Sequence, residues 1–249
     1  MKKTLKFKNA PINELVFGVH FDELDVDDNY KFLFYESIKD EYPSVTENPP
    51  LNSIIEKKDK LNYNIPLKGF NTRHFFINKD NDKLIQLQKN RFLFNWRKTE
   101  NMDNYPHFNN VYKDFDILFG MLENKLNKAL DIKQLEVTYY DHIYLESFEL
   151  KNYDLSKIFS FWNSSEQFNQ INLSYSIFKE EINGNLNIDI KSANRKDDNK
   201  KLIVLNSTCR GMFLNNQSFK EWFDVSHNIL LEYFFTNITE KAKTIWGLE

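Results

Sequence analysis

A chain of 249 residues, 41% apolar and 28% charged, is long enough for one large domain or for two fused half-domains sharing a core. Its net charge of -3 argues against a whole-protein field that attracts nucleic acid. The single cysteine, Cys209, excludes an intramolecular disulfide and a cysteine-based zinc site. The basic start, Met1-Lys2-Lys3-Thr4-Leu5-Lys6-Phe7-Lys8, is not followed by an apolar stretch, and no run approaches ~20 apolar residues. Neither a signal peptide nor a spanning helix is expected, and a reducing cytoplasm is the expected location. The 16% aromatic content, with 23 Phe beside abundant Asn, Lys and Ile, reads as the bias of an AT-rich genome.

In chain order, Leu15, Phe17, Val19 and Phe21 alternate with Val16, Gly18 and His20, which predicts a strand. Asp27 or Asp28 can cap a helix carrying Tyr30, Phe34 and Ile38, ended by Pro43. Residues 44–69 hold three prolines and few periodic apolar positions and read as a long loop. Strands follow at Phe70–Ile77, Lys83–Gln88 and Arg91–Arg97. A two-residue turn at Lys89-Asn90 would pair Leu87 with Phe92 and Ile85 with Phe94, leaving Trp96 on the same apolar face. A helix is expected from near Pro106, with a stripe of Phe108, Val111, Phe115, Leu118, Leu122 and Leu126.

The pattern then restarts. Leu135, Val137 and Tyr139 alternate with Glu136, Thr138, Tyr140 and His142, and Asp154 can cap a short helix with Leu155, Ile158, Phe159 and Trp162. Strands are expected at Ile171–Phe178, Leu186–Lys191 and Leu202–Phe213, with turns at Asn183-Gly184 and Ser192–Lys201. Ser218-Phe219-Lys220-Glu221 is a capping box for a helix through Trp222, Val225, Ile229 and Tyr233. Thr239 can cap a last short helix that stops at Gly247. Leu15–Val19 sits opposite Leu135–Tyr139 in this scheme, and Phe108 and Tyr112 opposite Phe219 and Phe223. The expected fold is α+β, with two β-α-β-β-β-α repeats (residues 1–131 and 132–249) that share one core. They would form a curved, mainly antiparallel sheet with helices packed on one face.

The stretch Leu84-Ile85-Gln86-Leu87-Gln88-Lys89-Asn90-Arg91-Phe92-Leu93-Phe94-Asn95-Trp96-Arg97 and the stretch Leu135-Glu136-Val137-Thr138-Tyr139-Tyr140-Asp141-His142-Ile143 are less generic. With Gly18-Val19-His20-Phe21, Glu41-Tyr42-Pro43, Pro49-Pro50 and Trp246-Gly247, the chain resembles a sporadically distributed bacterial family of similar length. That family has no established activity, so the resemblance implies no catalytic residues. Its patchy distribution implies mobile genes, including phage-defence and toxin–antitoxin neighbourhoods.

The candidate site is the polar sheet face: Gln86, Gln88, Arg91, Asn95 and Arg97, joined by Glu136, Thr138, Tyr140 and His142 if the repeats lie side by side. Arginines there offer bidentate donors to carboxylate or phosphate, and Glu and His offer acid–base chemistry if desolvated. A solvated face or an Arg–Glu network between the repeats is the plainer reading, ahead of a binding site and then of a catalytic one. The five histidines show no short metal spacing; His142, His227 and Glu136 form the least implausible trio. Cys209 is in phase with Ile203 and Leu205, as a buried thiol would be, and the basic residues of Lys191–Lys201 are diluted by Asp197 and Asp198 at a hairpin tip. Trp96, Trp162, Trp222 and Trp246 fit core packing. No cofactor or metal is expected, since no phosphate loop, dinucleotide fingerprint or nucleophile elbow is present.

The functional expectation is a non-catalytic binding or regulatory component of an accessory system, acting on a protein partner encoded nearby through the sheet face or the loop 44–69. An enzyme using Arg91, Asn95, Glu136 and His142, and a nucleic-acid binder using a concave sheet face, are the alternatives. The oligomeric state is left open, a homodimer included.

Overall fold

The computed structural model describes residues 7–24, 29–56, 63–65, 72–100, 105–127, 129–214 and 217–248. Asp27, Asp28 and the first residues of the strand expected from Phe70 lie outside these. In chain order the elements are β1 (Ile12–Phe21), α1 (Asn29–Ile38), β2 (Ser44–Asn48), β3 (Ser53–Ile55), β4 (Tyr63–Ile65), β5 (Arg73–Ile77), β6 (Lys83–Gln88) and β7 (Arg91–Arg97). Then come α2 (Phe108–Leu126), β8 (Ile132–Tyr144), β9 (Asn172–Lys179), β10 (Gly184–Asn194), β11 (Lys201–Met212), α3 (Phe219–Asn237) and α4 (Glu240–Ile245).

Among the described residues nine strands form one antiparallel sheet in the order β2-β5-β6-β7-β1-β8-β11-β10-β9, and β3 pairs with β4 in a separate hairpin. The fold is therefore α+β with a single large sheet. Its centre is β1, whose period-two alternation supplies both faces. Leu15, Phe17 and Val19 are fully buried on one side, while Glu14, Val16, Gly18 and His20 take the other. The β6–β7 hairpin has the register set by its apolar pattern, Leu87 opposite Phe92 and Ile85 opposite Phe94, turning at Lys89-Asn90.

Helices α1, α2 and α3 pack on the apolar face. Phe17 is the point where they meet the sheet centre, with ring centroids 5.1 Å from Phe108, 5.4 Å from Phe115 and 5.1 Å from Phe223. Phe34 of α1 packs on Phe76 and Phe92 of the same face. The expected stripe of α2 is buried through Leu122, with Leu126 half-buried. Ser218 caps α3 as read: its hydroxyl accepts from the Glu221 amide at 3.2 Å, and the Glu221 carboxylate accepts from the Ser218 amide at 2.8 Å. Thr239 caps α4, and Gly247 follows with φ 66.

Three expectations need correction. The segment 44–69 is not a structureless loop: its described residues contain β2, β3 and β4, and β2 is an edge strand of the main sheet, paired with β5. The helix expected after Asp154 is only a 3-10 turn, Leu155–Lys157, although Asp154 does accept a bond from the Ser156 amide. It stops because the next backbone groups bond to the α3–α4 junction instead, Ser160 N to Asn237 O and Thr239 N to Ile158 O. The turn at Asn183-Gly184 is wider than two residues, since a 3-10 turn at Glu180–Ile182 precedes a left-handed Asn183.

Because Phe17 fills the junction of the sheet with two helices, Phe17→Ala should destabilise the chain by about 3–5 kcal/mol, read as a lower denaturation midpoint in urea.

Candidate functional site

The nine residues singled out for the polar face all project from the side opposite the helices. The register explains why. Gly18 pairs with Leu93 on one side and Glu136 on the other, and Val16 pairs with Asn95 and Thr138, so the face runs continuously from β6 to β8 through β1. It extends further over β11, where Thr208 bonds Thr138 at 2.8 Å and Arg210 pairs with Glu136. Arg210 is a member that a period-two reading of its strand would place here, since it alternates with Cys209 on the opposite face.

The nine do not converge on one point. Glu136 and His142 are six residues apart on β8, roughly 20 Å at the usual rise of a strand. Arg91 lies beside His20 at one end of β1, whereas the His142 amide bonds Pro11 O beyond the other end. The four-residue catalytic set of Arg91, Asn95, Glu136 and His142 is thus not assembled. Nor is the histidine trio: His227 lies on the helix side, against Phe108, and Glu136 on the polar side. Among the described residues no three His, Cys, Asp or Glu side chains cluster as a metal ion would require.

What the face does assemble is a buried ionic network at its centre. Arg210 Nε lies 2.7 Å from Glu136 Oε2, and His20 Nε2 lies 3.0 Å from the same oxygen. Burial alone would raise the Glu136 carboxyl, but Arg210, His20 and Arg91 overcome this and hold it well below the usual carboxylate range. Burial pushes the His20 imidazole down to about 4 against the pull of Glu136, so it is neutral at pH 7. Burial lowers the Arg91 guanidinium to about 10, which leaves it charged. Gly18 is what makes room: a Cβ there would overlap Glu136 Cγ and Leu93 Cδ2, which lean over β1 from both neighbouring strands.

A segment from the presumed loop closes this network. Leu51–Glu56 crosses the face from β6 to β10, over the strands between them. The sheet's own backbone groups point along the sheet plane, so they cannot bond a chain lying over the face. Side chains do it instead. Gln88 takes both groups of Leu51, accepting from its N at 2.9 Å and donating to its O at 3.0 Å. Arg91 donates to Asn52 O at 3.1 Å. Gln134 donates to Ile54 O at 2.6 Å and accepts from Glu56 N at 2.8 Å. The Glu56 side chain is fully buried; Arg210 reaches its carboxylate at 3.2 Å, Asn187 at 3.2 Å, and Asn185 also donates to it.

The remaining predicted residues serve the rim. Gln86 donates to Asn95 at 2.9 Å and accepts from Arg73 at 3.0 Å, and Asn95 donates to Glu14 at 2.6 Å. Arg97 reaches Asn81 at the edge. Burial raises the Tyr140 phenol to about 12 and lowers the His142 imidazole. Glu56, Gln134, His20 and Asn185 were not foreseen. Gln134 and His20 had a signal in strand parity, but Glu56 had none, since it lies in an aperiodic stretch.

A second polar cluster lies on the helix side. Tyr105 OH is 3.2 Å from Tyr139 OH, which lies 2.9 Å from His227 Nδ1, the imidazole being pushed by burial to about 4. Asp141 shares that face of β8, and burial raises its carboxyl to about 7. Cys209 is buried there too, its thiol 3.7 Å from Ser226 O and pushed up by burial. The Lys191–Lys201 tip is held by Arg195 with Asp198 and by Lys200 with Glu146. A cleft of about 320 Å³ opens between the end of α1 and α2, lined by Tyr42, Asp114 and Ile117 among others, away from the polar face.

Two outcomes follow for stability. Glu136→Gln leaves Arg210 and Arg91 without their shared carboxylate, and should cost about 3–5 kcal/mol. Adding Arg210→Met should cost less than the sum of the two single changes, as a double-mutant cycle in urea would read. Asp141 holds its proton in the folded chain up to about pH 7 but in the unfolded chain only to about 3.8. Its favourable contribution is therefore full below pH 4 and is lost as pH rises through 7. Asp141→Asn should stabilise the chain at pH 8 by roughly 2–4 kcal/mol and make little difference near pH 4, measured as urea midpoints at both pH values.

No protein-family model matches this chain and no curated protein matches it, so a functional reading rests on the geometry above.

Proposed function

We propose that this chain is a non-catalytic binding or regulatory protein of a bacterial accessory system, of the phage-defence or toxin–antitoxin type, working in the cytoplasm on a protein partner encoded nearby. The observation that carries this reading is the way the polar face handles Leu51–Glu56. Gln88, Arg91 and Gln134 grip the backbone of an extended chain, and Arg210 with Asn185 and Asn187 takes up one acidic side chain. Such side chains, held rigid on a sheet, are suited to recognition. The separation of Arg91 from His142 along the sheet weighs against the catalytic alternative.

The same reading takes the sheet as two β-α-β-β-β-α halves joined at β1 and β8, the 3-10 turn Leu155–Lys157 standing in the place of the second half's first helix. In its support, the strand order β5-β6-β7-β1 on one side is repeated as β9-β10-β11-β8 on the other. A helix, α2 or α3, follows the last strand of each set.

The test is co-expression of the tagged full chain with the genes that flank it. One neighbouring product should co-purify in a defined stoichiometry. A clean monomer that retains none of them would count against the proposal.

A further inference from the structure

We infer that the polar face is an acceptor site for an extended acidic peptide of the partner, and that Leu51–Glu56 is its resident occupant in cis. This inference rests on the reading of the chain as a binding protein and names the chemistry that its site would select.

The first argument is the form of the contact. A segment that belonged permanently to the sheet would share its backbone ladder or be anchored by large buried apolar side chains. Towards the main sheet, the described contacts of Leu51–Glu56 are of neither kind. Among the described residues the hydrogen bonds between the two come from Gln, Arg and Asn side chains, and Leu51 and Ile54 are only half-buried. The bonds to Leu51, Asn52, Ile54 and Glu56 engage main-chain atoms, so they accept any extended sequence. The pocket for Glu56, by contrast, reads a side chain. The strand leading into the segment, β2, has largely exposed side chains, so little tertiary packing resists its departure.

The second argument is charge. With the segment in place, Arg91 and Arg210 are balanced by Glu136 and Glu56, His20 being neutral. Without Glu56, two guanidiniums face one carboxylate in a buried setting, and Arg73 adds to the positive potential at Arg91. An empty cradle is thus one negative charge short, and an unpaired buried charge is strongly disfavoured. Whatever displaces the segment has to bring an anion to the place of the Glu56 carboxylate. Asn185 and Asn187 present planar amide donors there beside Arg210, a set that suits a carboxylate.

The experiment uses the full chain, as wild type and as Glu56→Ala, with a labelled, C-terminally amidated peptide copying residues 49–56, Pro-Pro-Leu-Asn-Ser-Ile-Ile-Glu. Glu56→Ala should bind it more tightly than wild type by on the order of tenfold, and a peptide with glutamine in place of its glutamate should bind Glu56→Ala weaker by a similar factor. Equal binding by the two chains, equal binding of the two peptides, or displacement by a single-stranded oligonucleotide as readily as by unlabelled peptide would overturn the inference. Should Glu56→Ala not fold, hydrogen exchange on the wild type decides. The Leu51 and Glu56 amides should exchange on the order of 100-fold faster than those of Phe17 and Val137, whereas exchange only with the core overturns the inference. A neighbouring product that co-purifies equally with wild type and Glu56→Ala, without peptide binding, would refute the acceptor site and leave the binding reading standing.

Discussion

Glu136 is the constraint on which the polar side of this molecule depends. A carboxylate buried at the middle of a sheet is tolerable only beside positive charge, and Arg210 and Arg91 supply it from the neighbouring rows. Two guanidiniums overcompensate one carboxylate, so a second acid is needed, and Glu56 arrives from a segment distant in sequence. Glycine at position 18 follows from the same constraint, because the Glu136 side chain occupies the space above β1.

The two faces are built on different principles, and β1 carries both. On one side Phe17 sits in a cluster of rings from α2 and α3, where fit and area decide stability. On the other side, one residue along, Gly18 lies beneath an ionic and amide network covered by extended chain. Apolar packing tolerates volume-conserving exchange, whereas a buried polar network is sensitive to the loss of any one partner. The polar side is therefore where an incoming chain with matching groups could be distinguished from one without them. The helix side adds a contrast in Asp141, a buried acid whose charge burial disfavours.

Much of this was legible in the residues. The hairpin at Lys89-Asn90, the stripe of α2, the capping box at Ser218 and the common face of Gln86, Arg91 and Asn95 follow from periods of two and 3.6 and from local hydrogen bonding, whereas Glu136 joins that face through the pairing of β1 with β7 and β8. The helix expected at Leu155–Trp162 did not follow, because its backbone bonds were taken by residues around Asn237, some 80 positions later. Arg210 was within reach of the same alternation that buried Cys209, yet it gains meaning only beside Glu136 on another strand.

By itself, then, the sequence determined the α+β class, the register of the β6–β7 hairpin and which side chains of a strand share a face, because these depend on neighbours within a few positions. Only the tertiary structure decided that the polar face is closed rather than open. That outcome rests on Glu56 meeting Arg210 and Asn185 across separations of 154 and 129 residues. No local period encodes such a meeting; it is fixed by the direction in which Leu51–Glu56 crosses the strands and by the charge the network still requires.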